Sequence, residues 1–222
     1  MDGKGELHEP TAPDLPAELP AADLAEHDLE DGGVYELLAF GDLDLSGREA
    51  AGAEIEACRY ANVNLSKVKL RRGLVRDVTF ERCDLANLRA LDSSFTRVAI
   101  SSSRMTGLSL LDNHLRDVTF SGCRIDLSSF RASTFDDVLF TDCRMEQADF
   151  ADADLRSARF VGCTLTGAQF SGARMTATRF ARCELTGISG VTSMRGAIIT
   201  STDAVALAFV LAGALGITID DG

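Results

Sequence analysis

From Phe40 to Leu185, every residue whose number is a multiple of five is apolar. A second column lies two residues earlier and is small at twenty-four of its thirty positions between Leu38 and Cys183. The motif is small–x–large–x–x, plainest in residues 148–152 (ADFAD), 153–157 (ADLRS) and 168–172 (AQFSG). A helix repeats at 3.6 residues and a strand at 2, so neither produces this period. Five-residue periodicity requires a backbone that turns a corner every five residues and returns to the same line after four corners. The large side chain then fills the middle of each flat side, and the small one fits beneath the corner. The remaining three positions face outward, where most of the Asp, Arg, Thr and Ser reside.

Twenty residues make one coil, and coils stack at the strand spacing of ~4.8 Å. Thirty repeats predict seven and a half coils, a rod of about 36 Å. Each coil buries only four large side chains, so its stability comes from its neighbours, as in any solenoid. The register does not slip, so no inserted loop is expected. Arg48 in the small column and Ala50 in the large one predict a poorly formed first coil, with good packing beginning near Ala53.

All six cysteines (Cys58, Cys83, Cys123, Cys143, Cys163 and Cys183) fall in the small column. A linear ladder of inward thiols does not converge on a metal, and the expected role is that of small buried hydrophobes. Such thiols stay reduced in a cytoplasmic setting, which is the expected localisation. His114 is an outward position. No phosphate-cradling Gly loop, nucleophile elbow or metal-ligand cluster is legible, so neither an enzyme nor a cofactor is expected.

The net charge of −12 argues against direct nucleic-acid binding, which needs an excess of Lys and Arg. The charge is unevenly placed: residues 1–39 hold eleven acids and one base, while residues 40–190 hold twenty of each. Residues 1–36 therefore read as an acidic leader, disordered apart from a brief helix over 21–29. Residues 37–195 read as the repeat body. In 196–222, Ser201, Thr202 or Asp203 can cap an apolar helix over 204–216, and 217–219 can add a short strand. That helix is too short to span a bilayer, and no membrane association is expected. A segment apolar nearly all round must be covered, and pairing two copies tail to tail does so, with Val205, Phe209, Leu211 and Leu215 at the interface.

The motif resembles that of the pentapeptide-repeat proteins, A(D/N)Lxx. The resemblance implies an all-β solenoid, the right-handed quadrilateral β-helix, here followed by a C-terminal α-helix. The loop-free body with an apolar tail helix is similar to the MfpA/Qnr type of quinolone-resistance proteins. That resemblance implies a homodimer that binds DNA gyrase or a related type II topoisomerase by mimicking duplex DNA. The acids expected to carry such mimicry are Asp77, Asp117 and Asp137 in one column, Asp92, Asp112 and Asp152 in another, and Asp136, Asp149 and Asp154 beside them. Arg97, Arg116 and Arg156 interrupt the stripe, a patchwork that suits the other reading, an adaptor that binds a different protein.

Overall fold

The computed structural model of the chain describes residues 8–218, with Ala206 described in its backbone alone. The body is a parallel β-solenoid of about eight turns followed by a short helix. Strands pair at an offset of twenty residues, so Phe120 lies opposite Phe140, Phe140 opposite Phe160, and Phe160 opposite Phe180. The twenty-residue coil expected from the five-residue period is the coil observed.

The corners are made at one position of the repeat. Residues two places after each multiple of five adopt left-handed φ from Gly32 to Gly187, Ser157 excepted. Gly, Asn and Asp tolerate that region best, and they hold most of these corners. Between corners, rings stack along the axis: Phe120 on Phe140 at 4.6 Å, Phe140 on Phe160 at 4.9 Å, and Phe130 on Phe150 at 5.0 Å. Adjacent columns meet edge to face, as Phe150 and Phe160 do at 5.7 Å, which is the favoured geometry for aromatic pairs.

Packing differs between the two halves. One large column runs Ala50, Leu70, Ala90, Leu110 and only then Phe130, Phe150, Phe170. In the first half an apolar cavity of about 70 Å³ runs along the axis, lined by Leu29, Ala50, Tyr60 and residues as far as Phe120. Tyr60 stacks between Phe40 and Phe80 in this half, and its buried hydroxyl has no hydrogen-bond partner. An orphaned buried hydroxyl costs about 1–3 kcal/mol. Tyr60→Phe keeps the ring and removes the orphan, so it is expected to stabilise the rod by about 1 kcal/mol in thermal or urea melts. Equal or lower stability of the variant would mean that the hydroxyl is satisfied in solution.

The first coil is better formed than the sequence suggests. Strands Ala39–Gly41 and Glu49–Ala51 pair in register with residues 59–61 and 69–71. Arg48 escapes the small column by turning outward to Asp28, at 2.9 Å, while Leu29 buries itself at the end of the core beside Ala50. The leader thus supplies the cap that any solenoid end requires. Its helix, α1 (Leu24–His27), begins at Asp23, whose Oδ1 accepts the Ala25 N–H at 3.0 Å.

At the other end the register shortens by one residue, with Ile198–Ile199 pairing to Arg179–Phe180. The helix α2 (Ser201–Ala214) follows. Three residues seat it, one of them Val210, half-buried against the core. Leu207 is buried, and Asp203 occupies the next step of the cysteine column, its Oδ1 accepting the buried Cys183 N–H at 3.0 Å. The 217–219 strand expectation falls partly on Ile219, outside the described residues; Ile217 and Thr218 carry no strand.

Candidate functional site

The thiols belong to the core of the rod, not to its surface. All six cysteines are free and buried. The Sγ of Cys123 lies 3.5 Å from the carbonyl of Ile100, and the same contact recurs from Cys143 to Phe120 and from Cys163 to Phe140. Burial pushes the Cys58 and Cys83 thiols above the ordinary cysteine value.

The outward face is where binding can occur, and the nine acids singled out from sequence have three different settings on it. Asp77, Asp92, Asp112, Asp117, Asp137 and Asp152 are all left-handed corner residues, so their side-chain type serves the backbone as well as the surface. Asp92, Asp112 and Asp152 are exposed, and Asp152 lies 3.6 Å from Arg131. Asp136, Asp149 and Asp154 lie off the corners and are ion-paired: Asp136 with Arg116 at 3.1 Å, Asp149 with Arg131 at 3.1 Å. Asp154 is buried between Arg156 at 2.7 Å and Arg174 at 3.0 Å. The Arg156 hydrogen bond holds the Asp154 carboxyl below its ordinary value, against the opposing effect of burial.

Such pairing is general. Charges one coil apart form vertical ladders, including Glu49–Lys69, Glu56–Arg76, Asp84–Arg104 and Asp77–Arg97. Lys67, Arg71, Arg72 and Arg89 form an exposed basic patch beside these ladders. The faces are therefore charged but locally balanced.

One acidic column is already occupied. Residues 8–22 run along the rod instead of standing free, in the direction opposite to the coil's advance. The carboxylate of Asp77 accepts the Asp14 N–H at 2.9 Å, and that of Asp117 accepts the Thr11 N–H at 2.8 Å. Arg159, itself buried, donates to Glu9 at 2.6 Å and to the His8 carbonyl at 3.0 Å. Arg59 donates to the Pro16 carbonyl at 3.4 Å, and the Pro20–Ala22 segment bonds to Ala39. Burial works against the charged form of Asp77, but hydrogen bonds from Arg97 and Asp14 outweigh it and hold the carboxyl below its usual value. A carboxyl depressed on folding contributes stability above its unfolded value and loses it as pH falls. The contribution of Asp77 is therefore present at neutral pH and lost in acid.

The expectation of a disordered leader was drawn from composition, which does not register these long-range bonds. A local signal was present: Pro10, Pro13 and Pro16 recur every three residues.

At the tail, Val205, Phe209 and Leu211 lie exposed on α2, Phe209 at 59%, and Leu215 just past its end is exposed at 75%. Val205 and Phe209 turn away from the side held by Asp203 and Leu207, whereas Leu211 stands one turn beyond Leu207 on that same side, past the last coil.

A family profile described as the pentapeptide repeat region matches residues 93–170 and, overlapping, 128–189. Residues 93–189 are a pentapeptide-repeat region. No curated protein sequence matches this pentapeptide-repeat chain. Among solved structures it is similar to HetL, a pentapeptide-repeat protein involved in heterocyst differentiation regulation from the cyanobacterium Nostoc sp. strain PCC 7120. That match is 14% identical and covers 78% of this chain and 90% of HetL, with a TM-score of 0.45. It is also similar to a trypsin-treated form of QnrB1, a plasmid-mediated fluoroquinolone resistance protein. Here identity is 21%, coverage 91% of this chain and 97% of QnrB1, and the TM-score 0.32. At these identities the likeness concerns the coil alone. A pentapeptide solenoid is a structural or binding scaffold and is not typically enzymatic.

Proposed function

We propose that this pentapeptide-repeat protein is a tail-to-tail homodimer that binds DNA gyrase or a related type II topoisomerase in place of a DNA segment. Binding modulates the enzyme and protects it from quinolone-like poisons. The observation that carries the reading is the end of the chain. A loop-free rod finishes in a helix whose Val205, Phe209, Leu211 and Leu215 face outward. Joining two such ends buries that apolar face and gives an object of about 70 Å, the length of about 20 base pairs. The sequence resemblance to the MfpA/Qnr type points to gyrase as the partner.

Charge supports the reading in part. Asp92, Asp112, Asp137 and Asp142 project without an ion pair among the described residues, and the outward side of the leader adds Asp14 and Glu18. Steering of such acids toward a basic groove accelerates encounter and weakens with salt. The second reading, an adaptor for another protein, is favoured by the charge ladders, which neutralise much of the same surface.

A supercoiling assay with purified gyrase, with and without a quinolone, separates the two. Replacing Asp92, Asp112, Asp137 and Asp152 by Asn keeps residues that tolerate the left-handed corner, so the rod folds. The expected result is weaker gyrase inhibition or protection and a flatter salt dependence. Neutralising Lys67, Arg71 and Arg72 is expected to matter less. Parent-like action of the Asn variant, with loss in the basic-patch variant, would overturn mimicry in favour of the adaptor. Phe209→Asp is expected to give monomers by light scattering; a surviving dimer would place the interface elsewhere.

A further inference from the structure

The leader and the rod share a common measure. The Thr11 N–H reaches Asp117, and the Asp14 N–H, three residues later, reaches Asp77, two coils lower. Three residues before Thr11, the His8 carbonyl meets Arg159, again two coils away from the level of Thr119. A polyproline II chain has three residues per turn and rises 3.1 Å per residue, so one turn covers about 9.3 Å. Two coils at ~4.8 Å cover about 9.6 Å. The two periods agree to within a few tenths of an ångström per turn.

The sequence of the leader is built for that conformation. Pro10, Pro13 and Pro16 recur once per turn, each fixes φ near −65°, and none has an N–H to waste. The N–H groups that do point at the rod, those of Thr11 and Asp14, are the ones that find carboxylates. Pro10, Pro13 and Leu15 are half-buried against the rod, whereas Glu9, Asp14 and Glu18 keep their side chains exposed. Glu9 alone reaches back, to the Arg159 guanidinium. On the rod side, acceptors and donors alternate up one face: Arg59, Asp77, Arg97, Asp117 and Arg159. Arg97 does not touch the leader but holds the Asp77 carboxylate with its Nε at 2.6 Å, aiming it at the strand above.

We propose that this face is a recognition groove for proline-rich acidic segments in the polyproline II conformation, read at three residues per two coils, with residues 8–16 as its exchangeable resident. Its grip consists of a few hydrogen bonds and three half-buried side chains. Ligand rigidity lowers the ordering cost of docking, so so few contacts suffice. The groove takes any acidic Pro-x-x-Pro-x-x-Pro segment of the right register, and a second copy's leader satisfies the same chemistry. This inference concerns a face away from the tail helix and does not depend on the gyrase reading.

The test uses the full chain with Pro10, Pro13 and Pro16 replaced by Gly, which loosens the resident without touching the groove. The probe is a fluorescent synthetic peptide with the sequence of residues 8–22. It is expected to bind the Gly variant about tenfold or more tighter than the parent, whose groove is filled. Inserting one Ala between Pro10 and Pro13 of the peptide breaks the register and is expected to cost about tenfold or more in affinity. Asp117→Ala in the Gly variant is expected to weaken binding as well. Equal binding of the register-shifted peptide, or no binding to a Gly variant whose circular dichroism matches the parent, would overturn the proposal. Amide exchange on the parent chain provides a readout that needs no variant. Thr11 and Asp14 are expected to exchange more slowly than Ala12 and Leu15, in a period of three, and uniform exchange across residues 11–15 would overturn the register.

Discussion

Phe150→Ala is expected to destabilise the rod by about 3–5 kcal/mol. Phe150 is fully buried, stacks on Phe130 at 5.0 Å and Phe170 at 5.3 Å, and meets Phe140 and Phe160 edge to face. Its loss removes contacts to five rings, Phe135 at 6.1 Å included. The coil backbone is fixed by ladder hydrogen bonds such as Phe150 N–H to the Gln169 carbonyl, at 2.8 Å, so the site cannot collapse around the gap. Cost at fixed chemistry rises with the cavity that remains. Thermal melts check this, with a fall in midpoint of roughly 10 °C. A loss below about 1 kcal/mol would mean that the coil relaxes and the stacks are not close-packed.

Gly190→Ala is expected to be comparably severe and more local. Gly190 has φ +74°, and a Cβ there would lie 2.2 Å from the amide nitrogen of Ser171 and 2.6 Å from the carbonyl carbon of Phe170. Those are backbone atoms of the coil beneath and cannot swing aside. The chain crosses so closely here because the last coil folds under itself into the single turn Val191–Met194, whose Val191 and Met194 plug the core. An expected cost of about 3 kcal/mol or more combines left-handed strain with the forced backbone shift. Gly187 is the internal control, at φ +67° with the Gly167 nitrogen no closer than 4.0 Å to a Cβ, an ordinary van der Waals contact. Gly187→Ala is expected to cost about 1–2 kcal/mol, the left-handed term alone. Proteolysis of the tail should accelerate in the Gly190 variant only. Equal costs at the two positions would show that the close approach relaxes freely.

The axial ladder was legible in the sequence because it depends on local spacing. A large apolar residue every fifth position places Phe120, Phe140, Phe160 and Phe180 on one line irrespective of what surrounds them. The tail was legible for a related reason: a helix apolar on all sides leaves some apolar residues outward whichever side docks. The acidic columns misled in part, since Asp at a corner satisfies left-handed φ before it serves any partner, and only coordinates distinguish Asp112, exposed, from Asp77, buried under the leader. The leader itself was not legible from composition. Its bonds join residues 63 and 106 positions apart, and proline-rich acidic chain looks the same whether it is free or docked. Tyr60 posed a related problem, because the void beside it is lined by Ala50, one half-coil away in sequence.

The uneven filling of the axis also determines the order in which the molecule comes apart. Nearest-neighbour stacking makes a solenoid unzip coil by coil from its weaker end, and here that is the hollow half, before Phe120. The leader is continuous with that half through Leu29 and Asp28, yet its outer end is held at Arg159, within the ring-filled half. Peeling the first coils therefore drags on a line fastened more than a hundred residues away. Chain entropy that would be released by fraying the first coils is withheld while both ends of that line are attached. The leader acts as a backstay for the rod, tying its loosest section to its firmest, and a chain cut between Leu19 and Ala22 would fray from its beginning while its far half stayed folded.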